Sequence, residues 1–137
     1  MHGEIIFVDT GAWVALADKD DKHHDGAVSI FPPLLKTCKG LITSNLVVAE
    51  SYILILKGLG HNAAVDFLEK INSSPRIIRI CSTSDVERDA EETLKRYQDQ
   101  DFSYTDAVSF AVMKRQKIMK AFSFDKHFQT MGFIKAP

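Results

Sequence analysis

A chain of 137 residues and 15.4 kDa, 45% hydrophobic and 26% charged, is long enough to form a single domain over residues 1–137 with a buried core of its own. Its net charge of −1 and pI near 6.5 do not mark a nucleic-acid binder, so any phosphate affinity must be local or supplied by bound metal. No apolar run approaches the roughly 20 residues that cross a bilayer, and Met1-His2-Gly3-Glu4 lacks the form of a signal peptide, which makes the cytoplasm the expected location. Cys38 and Cys81 stand far apart without metal-ligand spacing, against both a zinc site and a disulfide framework.

The first element is the apolar run Ile5 to Val8, a buried strand that delivers Asp9 to a sheet edge, with Thr10 and Gly11 turning the chain into a short helix to about Asp18. A second helix is expected over Lys22 to Ile30, interrupted by Pro32-Pro33. Gly40 opens a strand at Leu41 to Thr43, and Ser44 or Asn45 can cap the next helix, Leu46 to about Lys57. That helix is apolar on nearly every side, which predicts burial all round or a share in a partner chain, and Glu50 stands out within it.

Gly58 and Gly60 should end it, before a helix over Asn62 to Ile71 and a strand over Arg76 to Ile80. Ser84 and Glu87 have the spacing of a capping box that opens a charged helix to Tyr97, whose acids read mostly as a solvated face. After a polar break at Gln98 to Asp101, Ser103-Tyr104-Thr105-Asp106 starts a helix to about Gln116. A strand within Met119 to Phe124 ends at Asp125, and a turn at Lys126 to Thr130 and an extended piece at Phe133-Ile134 follow. Strands alternating with helices predict an α/β fold, a parallel sheet of four to five strands covered on both faces.

In such a sheet all strands end on one edge, where each following helix begins. Asp9 and Asp125 end strands, Glu50 lies in the early turns of a helix that follows one, and Asp106 opens a helix that runs back before the fourth strand. Four acids therefore converge, although Asp9 alone fits a turn or cap and Asp106 fits a capping arrangement with Ser103. Gathered carboxylates repel one another unless a cation sits among them, and an oxygen-only set favours Mg2+ or Mn2+ over zinc. The matching chemistry is metal-assisted phosphodiester hydrolysis. Thr10, Ser103 and Thr105 are placed to orient carboxylates or waters.

At these residues the chain resembles the PIN-domain nucleases, and among them the small ribonuclease toxins of VapC type. The resemblance rests on Val8-Asp9-Thr10, Val48-Ala49-Glu50, Ser103-Tyr104-Thr105-Asp106-Ala107 and Ser123-Phe124-Asp125-Lys126-His127-Phe128, and it covers essentially the whole chain. It implies a three-layer α/β/α sandwich, a site for Mg2+ or Mn2+ held by Asp9, Glu50, Asp106 and Asp125, and endonucleolytic cleavage of single-stranded RNA. It also implies a homodimer silenced by a small antitoxin protein, with the helix around Ile53 and Ile55 as a contact surface. Many relatives carry another acid shortly after the last aspartate; here Lys126 and His127 follow instead.

A phosphatase of the haloacid-dehalogenase type also begins with a strand ending in Asp, but it needs an acid where Gly11 stands. A receiver domain needs a phospho-accepting Asp after the middle strand, where Cys81 stands. A PIN-like module that binds RNA or protein without cutting is the non-enzymatic alternative. His23, His24 and most lysines read as surface residues, and Trp13 as core.

Overall fold

A computed structural model describes residues 3–137. The elements run β1 (Ile5–Val8), α1 (Thr10–Ala17), α2 (His24–Thr37), β2 (Gly40–Ser44), α3 (Asn45–Leu59), α4 (His61–Ser73), β3 (Ile77–Ile80), α5 (Ser84–Arg96), α6 (Tyr104–Arg115), β4 (Lys120–Phe122), α7 (His127–Thr130) and β5 (Ile134–Ala136). The five strands form one parallel sheet in the order β3-β2-β1-β4-β5. From β1 the chain steps outward through β2 to β3, then crosses back to the other side of β1 for β4 and β5. The order reverses between β1 and β4, and at such a switch point the crossover connections part and leave a crevice beyond the strand ends.

Alternation along the strands sends side chains to two apolar layers. On one face Trp13 of α1 meets Phe31 of α2 and Phe67 of α4, and Phe31 stacks on Phe122 of β4. The Trp13 indole donates to Thr43, whose hydroxyl donates to the Val8 carbonyl, so both polar groups are satisfied inside the core. On the other face Phe7 of β1 meets Phe128 of α7, which packs edge-on against Phe110 of α6. Apart from Ile5 at its start, the central strand β1 is buried, whereas the edge strands β3 and β5 leave Ile78 and Ile134 exposed.

Several expectations are corrected. Helix α2 continues through Pro32 and Pro33 to Thr37. Each ring forgoes a backbone donor and crowds the carbonyl four residues back, at a cost of about 3 kcal/mol, yet proline's fixed φ is itself helical and the buried Leu34 beyond them anchors the last turn. The cap of α5 is Thr83, which accepts from Val86 N–H, while Glu87 instead accepts from the Ser82 hydroxyl. Its acids do form a mostly solvated face, on which Asp89 pairs with Arg115 at 2.6 Å and Glu91 accepts from Tyr104 at 2.8 Å. Of the two alternatives for helix α3, burial all round does not hold, since Ile55 is buried but Ile53 and Leu54 are exposed; a face shared with a partner chain is the alternative compatible with this exposure. Helix α3 ends at Gly60, whose φ of 96° suits glycine, with Gly58 still inside the helix.

Candidate active site

Asp9 directly follows β1 and takes the N-cap position of α1, yet its side chain makes no capping bond. It accepts instead from the Ser123 hydroxyl at 3.1 Å, across the gap between β1 and the end of β4. That hydroxyl in turn accepts from the Asp125 backbone N–H at 3.0 Å, so one serine ties the two acids to a common frame. Burial pushes the Asp9 carboxyl up to about 7, the Thr10 backbone N–H opposes the rise, and the charges of Asp106 and Asp125 add to it.

Asp106 enters from α6. Its carboxylate accepts from the Ser103 backbone N–H, and the Ser103 hydroxyl accepts from the Asp106 N–H, both at 3.0 Å, a completed capping box. Capping and site roles thus coexist in one residue. Burial, with the Asp125 charge as a lesser cause, raises the Asp106 carboxyl above its ordinary range, against the pull of the Ser103 backbone bond. Asp125 is partly exposed, accepts from the His127 N–H at 2.9 Å, and has its Oδ1 3.1 Å from the His127 ring. Ligand atoms from Asp106, Asp125 and His127 all lie within 4.8 Å of one another, close enough to share one ion.

The expected acids therefore divide. Asp106 and Asp125 come together and Asp9 is coupled to both, whereas Glu50 makes no hydrogen bond or ion pair among the described residues and lies outside that group. It is the sixth residue of α3, about 9 Å along the axis from the strand end at Ser44, and is partly exposed. The desolvation that singled it out in the sequence is thus relaxed by solvent. Of the supporting residues, Ser103 holds Asp106 and Thr10 is buried beside Asp9 with its hydroxyl unpartnered; Thr105 uses its backbone carbonyl for Ser109. Ser123, Asp101 and His127 were given no firm role by sequence, although Ser123 and His127 flank Asp125 within one motif.

Two raised carboxyls, an unpartnered buried hydroxyl on Thr10 and an unpartnered buried nitrogen on His127 are what a cation-binding set looks like when only protein atoms are counted. The residues fit a divalent metal. A hollow of about 470 Å³ lies elsewhere, between α1, α2 and α4, and is lined by Trp13, Phe31, Phe67 and Ile71 among others. Its only ionisable groups, Asp66 and Lys70, pair with each other at 3.0 Å. An apolar hollow has nothing to activate water, so the chemistry belongs at the acids.

The model of the PIN domain family matches residues 6–134. The chain belongs to the PIN-domain family. Within this family it is 35% identical over 135 residues to the 23S rRNA-specific endonuclease VapC20 of Mycobacterium tuberculosis, covering 96% of this chain and 97% of that protein. A VapC ribonuclease of Archaeoglobus fulgidus is 33% identical over 124 residues, 88% of this chain and 77% of that one. The crystal structure of VapC20, described as a sarcin-ricin loop cleaving toxin, superposes with a TM-score of 0.86 over 94% of this chain and 96% of that one. VapBC2 of Rickettsia felis, bound to a promoter DNA fragment, shares the PIN fold at a TM-score of 0.72 and 15% identity, over 96% of each chain. These relatives make the chain a PIN-domain protein of the VapC ribonuclease type. Among the described residues no helix is long and apolar enough to cross a membrane.

Proposed function

We propose that this chain, acting as a single PIN domain in the cytoplasm, is a Mg2+- or Mn2+-dependent endoribonuclease that cuts single-stranded RNA as the toxin of a toxin-antitoxin pair. The observation that carries the reading is the meeting of Asp9, Asp106 and Asp125 at the β1/β4 switch point, where burial and mutual repulsion raise two of the three. These acids would hold the metal, with Glu50 reaching it from α3 through water or a shift of its side chain. When bound, the metal supplies a polarised water and a counter-charge for the phosphoryl oxygens.

The chain's own residues do the rest. Ser123 fixes Asp9 and Asp125 relative to each other, and Ser103 fixes the rotamer of Asp106, so the carboxylates need little reorganisation before reaction. The Thr10 hydroxyl and that of Thr105 are supports for a bound water. The exposed Ile53 and Leu54 on α3 suit a homodimer contact, and the likeness to a protein described as a toxin supports a small antitoxin protein as partner.

The test is cleavage of a single-stranded RNA by purified protein with Mg2+ or Mn2+, beside a chelator control and Asp9→Asn. Metal-dependent cutting that the variant loses supports the assignment. Binding of RNA without cutting by the wild type would favour the non-catalytic module, and equal cutting by both proteins would assign the activity to a contaminant.

A further inference from the structure

We propose that His127 is itself a metal ligand through Nδ1, with Asp101 as the carboxylate that fixes the ring from its other side; the proposal rests on the metal-dependent reading above. His127 is 9% exposed, and its Nδ1 lies 3.1 Å from Asp125 Oδ1 and 3.7 Å from Asp106 Oδ2. Despite those distances Nδ1 makes no hydrogen bond, because its direction does not suit one. The other nitrogen, Nε2, lies 2.9 Å from Asp101 Oδ1, and Phe102 meets the ring edge-on at 5.0 Å. The ring thus has a carboxylate beside Nε2 and packs against an aromatic ring, while Nδ1 lies close to two acids without bonding to either.

The chemistry of the two nitrogens decides what belongs there. A carboxylate at Nε2 draws the ring hydrogen to that atom, so a neutral His127 presents a lone pair at Nδ1. A lone pair beside two carboxylate oxygens is repulsive, and either a proton on Nδ1 or a cation among the three groups relieves it; Nδ1 makes no hydrogen bond to either acid, which favours the cation. Groups bound to one ion at about 2.1 Å stand roughly 3 to 4 Å apart, which brackets both measured separations. A histidine that ligates a metal with one nitrogen commonly donates the other N–H to a carboxylate, and Asp101, though its side chain is 93% exposed, stands in that place. The oxygen-only ligand set expected from sequence then becomes a mixed one. An imidazole donor shifts preference from Mg2+ towards Mn2+.

Pulsed EPR of the wild-type protein loaded with Mn2+ alone tests this. Expected is the modulation of a directly bound 14N that is replaced when histidine is supplied as 15N, and that disappears in His127→Gln while Mn2+ still binds. Asp101→Asn should weaken Mn2+ binding on the order of tenfold with an unchanged melting temperature. Bound Mn2+ without nitrogen coupling, or with coupling that survives His127→Gln, overturns the role of His127 and leaves the ribonuclease reading standing. Folded wild-type protein that binds no Mn2+ overturns both.

Discussion

The same edge of the sheet carries two kinds of residue, and the contrast explains where the chemistry lies. At the β2/β3 side the strand-end groups are spent on structure: Ser44 caps α3 through Val47 N–H, Thr83 caps α5 through Val86 N–H, and Asn45 accepts from Ser82 N–H. At the β1/β4 side Asp9 occupies a cap position without capping, and Asp125 is held by hydrogen bonds that aim it towards Asp106 and His127. Topology brings residues to an edge; whether the side chain is consumed by a helix terminus decides which can act. Asp106 belongs to both kinds, since one of its oxygens caps α6 and also faces His127.

The sharpest way to break this contrast is to exchange roles. Asp9→Asn is expected to lower RNA cleavage by on the order of 100-fold or more, whereas Ser44→Ala should leave the rate per folded molecule within about twofold of wild type. Single-turnover cleavage measures both. A comparable loss in the two variants would mean that the edge works as one structural unit.

A second distinction is electrostatic. The Asp9 carboxyl is raised in the fold, from 3.8 to about 7. Between those values the folded protein therefore holds a proton that the unfolded chain has released. Stability of the metal-free protein must then fall as pH rises through that window, by up to about 4 kcal/mol if the whole shift is realised. Urea unfolding at a series of pH values should show this decline, and Asp9→Asn should flatten most of it. Saturating Mn2+ should reverse the trend, since binding requires the ionised carboxylate. A metal-free protein with equal stability at pH 5 and pH 8 would contradict the burial of Asp9.

The smallest effect concerns the capping side. Ser44→Ala and Thr83→Ala should each cost about 1 kcal/mol, read from denaturant midpoints, with no change in their dependence on pH. A Ser44→Ala variant whose pH profile shifts would join that side to the acid site.

Much of this arrangement was legible in the chain. The alternation of strands and helices gave the parallel sheet, and Asp9 and Asp125 stand out because Asp9 directly follows the apolar run of β1 and Asp125 lies just beyond β4, which ends at Phe122. Glu50 was harder to place, because an apolar sequence does not reveal which side of α3 faces solvent; Ile53 and Leu54 are exposed where burial all round was one expectation. Pro32-Pro33 read as a break, since the packing of Leu34 that holds the helix together is set by distant residues. Asp101 was hidden for a similar reason. It lies in a polar stretch like any surface loop, and only the approach of α7 gives it His127 as a neighbour.

The central claim is that the β1/β4 acids hold a divalent cation, and the most direct measurement is an anomalous difference map from crystals of the metal-free protein soaked in Mn2+. The account predicts a peak within coordination distance of Asp106 and Asp125, lost in Asp125→Asn. A map with no peak at these residues, from crystals of a protein that cleaves RNA in Mn2+, would contradict it.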